Sequence, residues 1–199
     1  MIEAVLFDWG GVLIDDPAPG LMDHCARALG VPVEDYTRVH NQHAEEFQKG
    51  LMEEAVFWQR ICDGLQCSMP RQPSLWGEAF RAVYAPREAV FALAGRLREA
   101  GYRTSLLSNT EKPAMEFFLE LGYDVFDALT FSCAQGAAKP EREIYEIAAR
   151  KLAAAPSRCV LIDDRLDFVA RARSAGMKAI LYRNLEQVTQ ELAALGVRA

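Results

Sequence analysis

The chain has 199 residues, 51% hydrophobic and 25% charged, with a formal net charge of -6. This balance fits a folded globular chain with a sizeable core and excludes a disordered one. It contains no Lys/Arg run to make a basic face, which argues against nucleic-acid binding. No stretch approaches the roughly 20 apolar residues of a membrane span.

The five cysteines are irregularly spaced, with no CxxC pair, and there are only three histidines. A zinc site is therefore not expected. The cysteines read as reduced thiols of a cytoplasmic protein. Residues 1–14 are largely apolar but are interrupted by Glu3 and Asp8 and lack a basic leader, so no targeting segment is expected.

The first predicted element is a continuous apolar run, Ala4 to Phe7, ending at Asp8. Such runs suit strands buried in the centre of a parallel sheet. The second run, Thr104 to Leu107, comes about ninety residues later, although a single crossover needs only a dozen or so residues plus its helix. The excess reads as an insertion of helices: Leu21 to Leu29, Glu34 to Gln48, Glu53 to Leu65 and Leu75 to Tyr84. Gly30-Val31-Pro32 and the segment from Met69 to Pro73 separate them.

A helix over about 87–100 then leads into the second strand. Further strands at Ala128 to Phe131, Cys159 to Ile162 and Lys178 to Tyr182 alternate with helices over about 112–121, 141–153, 166–175 and 185–195. This alternation predicts an α/β fold, a Rossmann-like parallel sheet core flanked by helices. The predicted core is residues 1–15 and 86–199, and residues 16–85 form an all-helical domain inserted after the first strand.

Ligands of an open parallel sheet bind at the carboxyl ends of its strands. The first strand delivers Asp8 there, followed by Trp9-Gly10-Gly11. The second delivers Ser108-Asn109-Thr110, and the fourth delivers Asp163-Asp164. Lys139-Pro140-Glu141 reads as a helix start. Singly, each segment has an ordinary explanation as a turn or helix cap. Two adjacent carboxylates, however, repel unless a cation joins them. Capping poorly explains four such segments in this order.

The segments VLFDWGGVL, LLSNT, KPEREIY and VLIDD resemble the four motifs of haloacid-dehalogenase-like hydrolases. The resemblance is nearest the branch with a bacterial glucose-1-phosphate phosphatase and the phosphatase domain of soluble epoxide hydrolase. It implies that the inserted helices are a cap, and that Asp8 attacks phosphorus to form an aspartyl-phosphate. It implies Mg²⁺ held by Asp8, the Gly10 carbonyl and Asp164, with Asp163 adjacent. It further implies a phosphoryl site at Trp9, Gly10, Ser108, Asn109 and Lys139, with Lys139 offsetting negative charge. Asp167 is expected either to orient Lys139 or a metal-bound water, or to act only as a first-turn helix carboxylate.

One position departs from the family pattern. Family phosphatases usually carry a second Asp two residues after the nucleophile, as general acid and base; here that position is Gly10. A metal-bound water, or a cap side chain such as His43 or Glu46, is a candidate substitute, although a solvated or packed His is the commoner case. Trp58 and Trp76 read as cap-core residues rather than sugar platforms. The expected partner is a small phosphorylated metabolite, with no nucleic acid or membrane, for a monomer or homodimer. Two other readings stay open: a metal-independent 2-haloacid-type dehalogenase, and a catalytically impaired phosphate-binding protein.

Overall fold

The computed structural model describes residues 1–198. Five parallel strands, β1 (Ala4–Phe7), β2 (Arg103–Ser108), β3 (Ala128–Phe131), β4 (Cys159–Asp163) and β5 (Lys178–Leu181), form one sheet in the order β3-β2-β1-β4-β5. The α/β expectation is met, and each predicted run becomes a strand. No helix among the described residues is long and apolar enough to cross a membrane. All five cysteines are free thiols.

The helices are α1 (Ala18–Leu29), α2 (Val33–Gln48), α3 (Glu54–Leu65), α4 (Leu75–Val83), α5 (Glu88–Glu99), α6 (Lys112–Leu121), α7 (Arg142–Lys151), α8 (Leu166–Ser174) and α9 (Leu185–Ala194). The first four lie between β1 and α5, so the excess chain is helical as read from its pattern. Lys139 and Pro140 do not begin a helix. Glu141 is the cap of α7, and Lys139 and Pro140 lie in the loop before it, joined by a cis peptide. Glu141 accepts from Ala138 N–H at 3.0 Å, which turns the loop back on itself.

Successive strand residues face opposite sides of a sheet, and the core divides accordingly. Val5, Phe7, Leu106, Val160 and Ile162 join α5, α6 and α9 on one face. Ala4, Leu6, Leu107, Cys159 and Leu161 join α7 and α8 on the other. Burial on both faces is why these strands read as unbroken apolar runs. β1 pairs with β2 and β4, and the strand order reverses beside it, which opens a crevice at the strand ends. Phe7 aligns with Ile162, so Asp8 emerges level with Asp163.

The chain leaves and re-enters the sheet layer through one narrow neck. Asp15 N–H donates to Ala85 O at 3.0 Å and Arg87 N–H to Leu13 O at 2.8 Å. The two layers nevertheless share one apolar cluster. Its hinge pin is Trp9, 1% exposed. Its ring lies 4.7 Å from that of Phe80 on α4, 5.1 Å from Phe118 on α6 and 6.4 Å from Phe131 on β3. Such aromatic contacts add to the burial of a large apolar area. Trp9→Ala is therefore expected to destabilise the whole protein by about 3–5 kcal/mol, read as a lower urea midpoint in equilibrium unfolding.

Candidate active site

A cavity of about 350 Å³ lies between the strand ends and α1–α4. Its floor carries Asp8, Ser108, Lys139 and Asp164, and its roof carries Leu21, Met22, His40, Trp76 and Phe80. The four segments that the sequence singled out therefore do converge.

Lys139 organises the floor. Its side chain is fully buried, and its ammonium donates to Asp8 Oδ1 at 2.8 Å and to Asp163 Oδ2 at 2.6 Å. The ring of Phe168 lies 5.0 Å from the same nitrogen. Burial pulls the Lys139 ammonium down, but the two carboxylates outweigh it and leave its pKa raised. Burial pushes the Asp8 carboxyl up to about 7; Lys139 opposes that shift and Asp163 adds to it. Asp8 Oδ1 also accepts from Trp9 N–H at 2.7 Å. The protein thus loads Oδ1, and Oδ2 is the oxygen with no hydrogen bond from the described residues.

Several residues have duties that the sequence did not reveal. The amide of Asn109 accepts from Lys139 N–H and donates to Lys139 O, both at 2.8 Å. It clamps the lysine loop rather than offering itself to a ligand. Asp163 accepts from Lys139 through one oxygen and from Arg165 N–H through the other, at 2.9 Å. Its two oxygens are engaged by the protein. The Trp9 ring belongs to the core, and its backbone N–H serves Asp8. Ser108 Oγ lies 2.7 Å from Thr110 Oγ1, which makes a two-hydroxyl edge.

Two candidates for the missing acid need correcting, and Asp167 keeps only its role as a first-turn helix carboxylate. Asp167 does not reach Lys139: it is exposed and grips Arg165 through both oxygens, at 2.8 and 3.2 Å. His43 and Glu46 do not line the cavity, and Glu46 pairs with Arg60 at 2.9 Å. The further carboxyls that do line it are Asp16 and Glu111. Trp58 and Trp76 are core residues as expected, 3% and 2% exposed, although Trp76 also turns an edge to the cavity.

Asp8, Asp163 and Asp164 can each bring a carboxylate oxygen within 4.8 Å of the others. Oxygen donors of this kind suit Mg²⁺. A cradle beside them supports the fit. Gly11 has φ +81°, and a Cβ there would sit 2.2 Å from Asp164 Oδ2. Only glycine lets Asp164 lie against the Asp8 turn. Asp164 is itself raised, by burial first and by Asp163 second, with Lys139 opposing. Gly11→Ala is expected to displace Asp164 and to weaken Mg²⁺ binding about tenfold or more, in line with the loss typical of displaced ligand geometry. Calorimetric titration with Mg²⁺ reads this directly.

Residues 2–176 match a family model described as haloacid dehalogenase-like hydrolase. Among curated proteins, a sesquiterpene phosphatase of Aspergillus oryzae is 26% identical, over 88% of this chain and 87% of that one. The bifunctional epoxide hydrolase 2 of Rattus norvegicus is 25% identical over 96% of this chain, which spans only 38% of the rat protein. Among solved structures, a haloacid dehalogenase family enzyme of Bacteroides thetaiotaomicron, complexed with magnesium and inorganic phosphate, superposes with a TM-score of 0.73. It is 21% identical and covers 92% of this chain and 95% of its own. The L-2-haloacid dehalogenase of Xanthobacter autotrophicus, with chloropropionic acid covalently bound, gives a TM-score of 0.65. It is 20% identical over 100% of this chain and 85% of that one. With the motifs, the fold and a family model spanning most of its length in agreement, the chain belongs to the haloacid dehalogenase-like hydrolases.

Proposed function

We propose that the protein is a Mg²⁺-dependent phosphatase that hydrolyses small phosphomonoesters through an aspartyl-phosphate on Asp8. One observation carries this reading: Asp164 is packed against the Gly11 turn beside Asp8, so that a cation-binding carboxylate adjoins the nucleophile. Hydrolysis of a carbon–halogen bond needs no such group. The paired acids therefore favour the phosphatase over the dehalogenase, even though both chemistries occur on this fold.

Mg²⁺ would be held by Asp8 and Asp164 with the Gly10 carbonyl, and would neutralise phosphoryl charge as a Lewis acid. The chain's own residues do the rest. Asp8 Oδ2 attacks phosphorus. The Lys139 ammonium holds Asp8 in place and stays charged as negative charge accumulates. Ser108 and Thr110 offer hydroxyls to the phosphoryl oxygens. Asp163 supports the reaction by positioning Lys139. The roof residues Leu21, Met22 and Phe80 favour an alcohol with apolar surface. The sesquiterpene phosphatase among the relatives supports such a leaving group. A cytoplasmic enzyme acting on a phosphorylated metabolite, as monomer or homodimer, fits this reading.

Removal of divalent cations with EDTA should abolish hydrolysis of p-nitrophenyl phosphate, and Mg²⁺ should restore it. Full turnover in metal-free buffer would overturn the metal requirement, and no turnover of any phosphomonoester with Mg²⁺ present would overturn the phosphatase reading. Asp8→Asn keeps the side-chain shape and leaves the Lys139–Asp163 pair intact. Its turnover should drop to background with the unfolding midpoint little changed; substantial turnover would rule out covalent catalysis at this residue.

A further inference from the structure

Gly10 carries no carboxyl, and the fold leaves little room for one: a Cβ at Gly10 would lie 3.1 Å from Pro17 Cδ. The proton for the leaving alcohol must come from elsewhere in the cavity. An in-line displacement from Asp8 on the floor expels the leaving oxygen toward the roof. A donor is therefore needed on the roof side.

Glu111 stands there. It is 4% exposed, lines the cavity and follows Ser108 by three residues. Its Oε2 accepts from Trp76 Nε1 of α4 at 3.0 Å, so the carboxyl sits against the roof. We infer that Glu111 is the general acid and base of this site, supplying from the roof of the cavity the proton that Gly10 cannot. This inference rests on the phosphatase reading and names a catalytic residue for it.

The surroundings favour the protonated form of this carboxyl. Burial raises Glu111, and hydrogen bonds from its own backbone, Gln48 and Trp76 offset that only in part. The other titratable groups around it are Cys25 and Tyr36 from the roof and Cys133 from the floor, none of them a cation. Burial lowers the pKa of His40, which is stacked on Trp76. Glu54 lies behind Trp76 and accepts its backbone N–H. Lys112, next in the chain, pairs with Glu53 instead. Asp16, the other spare carboxyl, is exposed and spends Oδ1 on Ala18 N–H.

The proton balance closes over the two half-reactions. As the Asp8–phosphorus bond forms and the phosphorus–alkoxide bond breaks, the leaving oxygen takes the Glu111 proton. Alcohol departs and Glu111 becomes a carboxylate. Water then attacks the aspartyl-phosphate and gives its proton to Glu111, which releases phosphate and restores the Asp8 carboxylate.

The test compares an alkyl phosphate with p-nitrophenyl phosphate, in Mg²⁺, across pH. Glu111→Gln removes the proton but keeps an oxygen to accept from Trp76. It should lower the first-turnover rate of alcohol release from the alkyl phosphate by about 10²–10⁴ and lower it far less for the aryl phosphate, whose leaving oxygen needs no proton. An acid works while protonated, so the wild-type first-turnover release from the alkyl phosphate should fall as pH rises through the raised Glu111 pKa; this limb should vanish in Glu111→Gln. Trp76→Phe removes a hydrogen bond that favours the carboxylate and should move the limb to higher pH. An equal loss of first-turnover release on both substrates, or a limb unmoved in Trp76→Phe, would overturn the inference and leave the phosphatase reading standing. A wild type inactive on every phosphomonoester would overturn both.

Discussion

The site depends on one buried ammonium. Lys139 is fully buried between Asp8 and Asp163, and neither carboxylate is exposed enough to be stabilised by water. Removing Lys139 would strand two carboxylates in low dielectric, which is costly because neither would keep a cationic partner. Everything nearby serves this triad. The register of β1 on β4 brings Asp8 level with Asp163. Asn109 holds the lysine's peptide at both ends, and Phe168 covers its ammonium. A rigid Asp8 carboxylate follows from this arrangement, since the same nitrogen that neutralises Asp8 also fixes its orientation.

The triad does not balance itself. Three carboxylates converge on one ammonium, and both Asp8 and Asp164 are pushed up. Like charges this close either take up protons or recruit a cation. Asp163 answers to Lys139 and Arg165 N–H, which leaves Asp164, laid over Gly11, to face the cavity. The two adjacent acids thus divide between holding the lysine and facing the cavity.

The helical layer closes this floor by packing as well as by linkage. Trp9 follows Asp8 directly and anchors the aromatic cluster joining α4, α6 and β3. Polar contacts repeat the connection on the other side. Ser132 donates to Gln48 O of α2 at 2.5 Å and accepts from Thr110 N–H at 2.8 Å. Lys49 at the end of α2 reaches Glu141 at 2.6 Å. Roof and floor are therefore held in register around the cavity, and a buried Glu111 can be shared between them.

The strands and the identity of the converging segments were legible from residue order, because burial on both faces writes unbroken apolar runs and strand ends deliver side chains to one edge. Nucleophile, lysine and paired acids stood out for the same reason. The duties of individual side chains did not. Asp167 looked able to reach Lys139, but Arg165 lies two residues away on an exposed surface and takes both of its oxygens. Asn109 looked like a ligand contact until its amide met the Lys139 peptide, thirty positions along the chain. Lys139-Pro140-Glu141 had the composition of a helix start, yet the ion pairs hold Lys139 in a loop. Glu111 gave no local signal beyond a residue preceding a helix; its importance comes from Trp76 and from the cavity wall it joins. Periodicity and composition report what one segment prefers by itself. Which donor meets which acceptor is decided when distant segments pack, and only the tertiary structure records it.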